Sequence, residues 1–256
     1  MKKHNYNSTN NNTIYGVNSS ISVLNSSNCI VNRILIAKNS KAHKNNNIHT
    51  IIKKRNLSNK LSIVDISVID KNKKNIRSQG IMIDFVFLGL KDDLSHLPYN
   101  QTDNDCVLIL DQLEDPQNLG QIIRTCECAG VDKIILTKNR SVSLSDTSFQ
   151  ISQGAFTSIS FYICSNLRNT LNFLKDNGFW LAALENSVQA DRWDKIDYKG
   201  KTGIILGSEG KGIRKLTLED SDFIATIPMQ GTINSLNVSA ACSAILFERL
   251  RQVLDS

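Results

Sequence analysis

From Cys106 to Gly130 the chain reads CVLILDQLEDPQNLGQIIRTCECAG, and the change of period inside this stretch decides the fold class. Cys106–Leu110 is an uninterrupted apolar run, as expected of a strand buried on both faces. Asp115-Pro116 then sets a turn. Leu119, Ile122, Ile123, Cys126 and Ala129 follow at helical spacing, one face of a helix that Gly130 ends as its C′ residue. The same alternation continues downstream. Strands are predicted at Lys133–Leu136, Phe179–Leu184, Gly203–Leu206 and Phe223–Ile227. Helices are predicted at 166–177, capped by Ser165 and stopped by Gly178, and from Val238 to Gln252. Strands alternating with helices imply an α/β fold with a parallel sheet covered on both faces. Such sheets bind ligands beyond the carboxyl ends of their strands.

Upstream the pattern is different. Residues 1–12 are polar, Asn-rich and aperiodic, and read as a disordered tail. Residues 13–90 read as a small α/β domain of about 75 residues. A helical start spans Ile14, Val17, Ile21 and Leu24. A strand (Arg33–Ala37), a helix (His49–Arg55), the alternating run LSIVDISVID and a strand (Ile81–Phe87) come after it. The polar stretch KDDLSHLPYNQTDND, residues 91–105, reads as a linker, and 106–256 as the second domain. Charge divides the same way. Residues 1–106 hold 15 Lys and Arg against 7 Asp and no Glu, a net of +8; residues 107–256 hold 15 against 17 acids, a net of −2. A basic front half suits a polyanionic partner such as nucleic acid.

Several classes are excluded or restricted. No window approaches the roughly 18 apolar residues of a membrane span, and the start MKKHNYNSTNNNT lacks the apolar core of a secretory signal; the expected location is the cytoplasm. The six cysteines are scattered, without zinc-ligand spacing, and read as reduced thiols in or near the core. All four histidines precede residue 97, so the second half holds no imidazole for a Ser–His–Asp triad or a Cys–His pair. No metal is expected.

Three strand-end loops carry the chemistry. In DPQNLGQIIRT, Asn118 stands at a helix start and Arg124 interrupts an otherwise apolar helix. IILGSEGKGI, residues 204–213, is neither a dinucleotide fingerprint nor a P-loop. Its Gly207, Gly210 and Gly212 allow close backbone approach to a ligand, while Glu209 would repel phosphate and suit a hydroxyl, an amine or a positive charge. In ATIPMQGTINSLNVSAACSAILFE, residues 225–248, a Gly-containing loop runs into Ser235-Leu236-Asn237, with Asn237 placed to cap the last helix.

Taken together, DPQNLGQIIRT (115–125), LGSEGKGI (206–213) and IPMQGTINSLNVS (227–239) resemble, in order and spacing, the three signature motifs of the SpoU, or TrmH, family of RNA 2′-O-ribose methyltransferases. IYGVNS (14–19) and SQGI (78–81) resemble more weakly that family's substrate-binding domain, with Ser78 where the family usually has His. The layout is most like the RlmB type, which methylates a guanosine 2′-hydroxyl in large-subunit (23S) ribosomal RNA. The resemblance implies a C-terminal α/β-knot domain of the SPOUT class, with a trefoil-knotted parallel sheet and action as a homodimer. It also implies a front domain like ribosomal protein L30e. Carried over residue by residue, it places S-adenosyl-L-methionine against Gly207, Ile227 and Leu236. The catalytic and RNA-side positions fall on Asn118, Arg124, Glu209, Ser235 and Asn237.

The implied reaction is displacement of a methyl group by a ribose 2′-oxygen, for which the protein aligns two reactants and manages one proton. A guanidinium holds its proton too tightly for Arg124 to serve readily as a base. Holding the adjacent phosphate and polarising the hydroxyl is the competing role. Two alternatives stand beside the ribosomal reading: a transfer-RNA 2′-O-methyltransferase of the same family, and a catalytically silent RNA-binding protein with this fold.

Overall fold

The computed structural model describes residues 11–71, 77–92, 94, 97, 104–186, 190–210 and 212–255. The chain forms two compact units. The first is Met1–Gly89 with Ser143–Ser158, and the second is Leu90–Val142 with Ile159–Ser256.

In the first unit, β1 (Asn11–Tyr15), α1 (Val17–Asn25), β2 (Cys29–Ala37), α2 (Asn46–Lys54), β3 (Leu61–Val64), α3 (Ile66–Asp70) and β4 (Ile81–Phe87) follow one another. The strands form a sheet in the order β1-β4-β2-β3, antiparallel except for the β2–β3 pair. Two expectations are corrected here. Asn11 and Asn12 belong to β1 and not to a tail, while 1–10 lie outside the described residues. Ile14 is also in that strand, because Gly16, at φ +91°, breaks the chain before the helix starts at Val17. The run LSIVDISVID splits as well: Asp65 ends β3, and Ile66 and Ile69 lie three apart on a helical turn.

The segment 143–158 was expected inside the second domain, yet it packs with the first unit. Its helix Asp146–Ile151 brings Phe149, and the turn after it Phe156, onto Phe85 and Phe87 of β4, with ring centroids 5.3–5.7 Å apart across the four pairs. Gln150 clamps β1 by accepting from Tyr15 N (2.9 Å) and donating to Tyr15 O (3.1 Å). Burying two Phe side chains contributes roughly 1.5–3 kcal/mol each, which outweighs the modest entropy of a long loop. With this segment the first unit carries 14 Lys and Arg against 4 Asp, a net of +10, and the second 16 against 20 acids, a net of −4. The charge division is therefore sharper in space than along the chain.

The second unit contains β5 (Leu90–Lys91), β6 (Cys106–Leu110), α4 (Pro116–Cys128) and β7 (Lys133–Thr137). The Asp146–Ile151 helix of the first unit is α5. Then come β8 (Ser160–Cys164), α6 (Leu167–Asp176), β9 (Trp180–Leu184), β10 (Asp191–Arg192), β11 (Thr202–Leu206), α7 (Lys215–Glu219), β12 (Phe223–Thr226) and α8 (Val238–Leu254). The sheet runs β10-β12-β9-β11-β6-β7-β8-β5 with every pair parallel. The expected parallel α/β sheet is therefore present, with three strands, β5, β8 and β10, that the sequence reading passed over.

Gly130 stands at C′ of α4 with φ +72°. The cap of α6 is Asn166, which accepts from Asn169 N, one residue beyond the expected Ser165. The supposed linker contributes to the fold: Lys91 lies in β5, and Leu97 is buried in the core with Leu171 and Phe179. At the amino ends of β6 and β7, fully buried Lys133 donates to Asp105 (2.7 Å) and Asp132 (2.9 Å). Burial opposes its charge, but the two carboxylates outweigh that and hold its pKa above the ordinary lysine value. All six cysteines are free thiols, and all but Cys128 are buried.

Candidate active site

The adjacent strands β12, β9 and β11 end side by side, and the loops leaving their carboxyl ends enclose a cavity of 450 Å³. The loop after β9 delivers Glu185 and Asn186, the loop after β11 delivers Gly207, Ser208, Glu209, Gly210 and Gly212, and the chain after β12 delivers Ile227, Ser235 and Leu236. Gly207 is required by contact, because a Cβ there would lie 2.5 Å from Ile213 N and closer still to the Gly212 carbonyl. Gly212 has φ +65°, and a Cβ on it would sit 2.6 Å from Glu185 Oε2. That carboxylate accepts from Ile213 N at 2.8 Å and so ties the β9 and β11 loops together. Among the described lining residues there are two carboxylates, Glu185 and Glu209, and no Lys, Arg or His.

Behind the cavity wall lies a chain of amides. Asn118, buried in the first turn of α4, donates through Nδ2 to Glu209 Oε1 and accepts from Asn237 Nδ2 at 3.1 Å. Asn237 caps α8 as expected, accepting from Ser239 N at 2.9 Å. The α4–α8 seam continues through Ser239 Oγ to Gln121 Oε1 (2.5 Å) and the Thr125–Ser243 hydroxyl pair (3.1 Å).

Of the eight residues singled out by sequence, Gly207, Glu209, Ile227, Ser235 and Leu236 line the cavity. Asn118 and Asn237 join it through Glu209. Arg124 does not. The sequence placed it on an apolar helix face, but in the fold it is exposed on α4, in line with exposed Gln121 and Cys128, because the inward stripe of the helix is Asn118, Leu119, Gly120, Ile122, Ile123 and Cys126. Sequence reasoning missed Glu185, Asn186, Met229 and Asn234, which also line the cavity. The polar pair Glu185-Asn186 directly after the apolar run of β9 was the available signal.

In the first unit, Ser78 is buried, and its hydroxyl accepts from Gly80 N at 3.3 Å. It closes the turn and presents nothing to solvent. Next to it Gln79 accepts from Val17 N at 2.8 Å, and a Cβ on Gly80 would collide with Ser40. Lys38, Lys41 and Arg77 line the shallow depression above this turn.

With this geometry in place, the comparisons are decisive for the family. The model of the SpoU rRNA Methylase family matches residues 105–247. The chain belongs to that family. A Staphylococcus saprophyticus protein named as a TrmH family tRNA/rRNA methyltransferase is 45% identical over 146 residues, 57% of this chain and 58% of the relative. A Staphylococcus aureus protein of the same name is 43% identical over 149 residues, 58% and 60% of the two chains. The match thus spans about three-fifths of the length of these curated relatives. Among solved structures, an AdoMet-bound rRNA methyltransferase from Sinorhizobium meliloti superposes with TM-score 0.79 at 20% identity, over 96% of this chain and 88% of that one. The SpoU methyltransferase AviRb from Streptomyces viridochromogenes, in complex with AdoMet, superposes with TM-score 0.77 at 18% identity, over 96% and 91%. This is the SpoU methyltransferase fold.

Proposed function

We propose that the protein is an S-adenosyl-L-methionine-dependent RNA 2′-O-ribose methyltransferase acting on a guanosine of large-subunit ribosomal RNA. The observation that carries this is the cavity itself. It has a glycine cradle for close approach and two carboxylates with no described cation, so it suits a cationic, hydroxyl- and amine-bearing ligand and repels a phosphate-bearing cofactor. S-adenosylmethionine, when bound, supplies a methyl group on a positively charged sulfur. Gly207, Ile227 and Leu236 would hold it, with Glu185 and Glu209 facing its positive charges.

The chain's own residues have three tasks. Asn118 and Asn237 hold Glu209 at the cavity rim. Ser235, exposed beside it, is available to the incoming ribose. Arg124 would grip a phosphate and polarise the 2′-hydroxyl, whose oxygen would bond the methyl carbon as the carbon–sulfur bond breaks with its electron pair going to sulfur and the hydroxyl proton passes to solvent water. Its exposure on α4 requires that RNA, or a second copy of the chain, complete the site. A homodimer is part of this proposal, supported by exposed Phe247 and Leu254 on α8, as are the knotted topology that the family resemblance implies and a cytoplasmic location. The first unit, at +10, would supply RNA affinity. No described helix is long and apolar enough to cross a membrane.

The test is transfer of labelled methyl to unmodified ribosomal and transfer RNA, with mapping of the product. A single 2′-O-methylguanosine in large-subunit RNA is expected. Modification of transfer RNA alone would move the substrate, and absence of transfer to either RNA, with cofactor bound, would overturn the catalytic reading.

A further inference from the structure

The carboxyl edge of the large sheet carries a second cavity, of 420 Å³, over β6, β7 and β8. It is nearly as large as the first and opposite in character. Lys138, Arg168 and Arg214 line it against one carboxylate, Asp220. The two guanidiniums are held from behind. Arg214 donates through Nε to Asp111 Oδ2 (3.0 Å), with Nη2 2.8 Å from Oδ1, and Asp111 is itself buried at the end of β6. Arg168 Nη2 donates to Asp220 Oδ1 at 2.9 Å. Arg214 is thus held along one edge of its fork and Arg168 by a single bond, and both side chains remain about half exposed, at 48% and 58%. Such pre-oriented guanidiniums bind phosphate oxygens at low entropic cost.

Neutral groups complete the lining. The Gln112 and Asn139 carboxamides and the Ser165 hydroxyl face this cavity and make no side-chain hydrogen bond with any described residue. Gln112 has φ +63°, a conformation that costs an L-residue of order 1 kcal/mol; its N–H is held by Thr137 Oγ1 at 3.0 Å. Carboxamides offer a donor and an acceptor together, the pattern that pairs with a base edge. The first-turn N–H groups of α6, beside Asn166, add positive potential to the same space.

We propose that this cavity is an RNA subsite of the methyltransferase. Arg168, Arg214 and Lys138 take a backbone phosphate, and Gln112 and Asn139 contact the base of a nucleotide near the methylated one. The inference rests on the RNA-modifying reading above. The sheet edge is thereby divided by charge: the anionic half over β9, β11 and β12 receives the cationic cofactor, and the cationic half over β6, β7 and β8 receives the RNA backbone. Their middle strands, β9 and β7, are three strand steps apart, about 14 Å, a distance that a short splayed single strand can span.

The test uses the full-length protein carrying Lys138→Gln, Arg168→Gln or both, with Gln112→Ala and Asn139→Ala as separate variants. RNA binding is measured by fluorescence anisotropy across a salt series, methyl transfer as kcat and KM for RNA, and cofactor binding by calorimetry. The double charge variant should weaken RNA binding and raise KM for RNA about tenfold or more, and should lower the salt slope by about 1.5–2. Cofactor affinity should stay unchanged. The amide variants should raise KM for RNA with the salt slope unchanged.

Wild-type RNA affinity and salt slope in the double variant would overturn the subsite. Absence of methyl transfer by the wild type would instead overturn the parent reading, and the anisotropy series would still judge the subsite. Tight micromolar binding of free guanosine 5′-monophosphate that RNA does not displace would reassign the cavity to a free nucleotide. If Arg168→Gln fails to fold, exposed Lys138 and the amide variants carry the test.

Discussion

Replacing Gly207 with Ala probes the cofactor cavity at the point where its backbone has no slack. The new Cβ would lie 2.5 Å from Ile213 N and nearer still to the Gly212 carbonyl. Carbon contacts are favourable only from about 3.5 Å, so the loop must open by roughly 1 Å. That loop is closed by Ser208 N to Gly212 O (3.2 Å), Gly212 N to Ser208 O (3.0 Å) and Ile213 N to Glu185 (2.8 Å). Overpacking costs about 1–3 kcal/mol and each weakened hydrogen bond about 1 kcal/mol, so the change should cost about 2–4 kcal/mol. If the cost falls on the whole fold, Tm drops by roughly 4–16 °C. If the loop yields locally, cofactor affinity falls roughly thirtyfold or more. Calorimetric titration with S-adenosylmethionine and a thermal melt read both. Gly231→Ala is the control, since its nearest neighbour would be Ile233 N at 4.0 Å; it should stay within about 0.5 kcal/mol. Gly207→Ala with wild-type Tm and cofactor affinity within threefold would show that this loop does not form the ligand cradle.

Arg124→Ala should abolish methyl transfer while Tm and cofactor binding hold, since the side chain is exposed and makes no described ion pair; normal turnover at saturating RNA would remove it from the mechanism. Arg124→Lys should keep part of the activity if phosphate attraction is its main role, and should match Ala if the planar fork orients the hydroxyl. Lys133→Met removes the cation paired with the buried Asp105 carboxylate and should destabilise the second unit by about 3–5 kcal/mol by denaturant titration; a loss under 1 kcal/mol would refute the burial argument. Burial pushes the thiols of Cys29, Cys106 and Cys164 up to about 11. The unfolded chain therefore gives up these protons first, and stability should fall as pH rises from about 9 to 11. At pH 8, alkylation of the native protein should label exposed Cys128 ahead of the others, as mass spectrometry would show; equal labelling of Cys106 would count against the fold.

The parallel sheet and its ligand loops were legible because each is a local pattern. An apolar pentad such as Cys106–Leu110 can only be a doubly buried strand or a short helix segment, and the helical spacing after it decides between them. The glycines of 207–212 and the cap at Asn237 likewise express backbone requirements that depend on near neighbours. Strand order is not local. That β9, β11 and β12 end together follows from pairing between residues 22 and 41 positions apart in the chain, which no period encodes. Only that pairing brings Glu185 to the Gly212 loop and Asn118 to Glu209. Ser143–Ser158 returns to the first unit because Phe149 and Phe156 meet Phe85 and Phe87, a contact across some sixty residues that helix propensity leaves unspecified. The outward position of Arg124 is of the same kind. Sequence spacing showed that it broke an apolar helix, but the direction it faces depends on which stripe of α4 packs against α8 and the sheet, and burial of the apolar positions decides that.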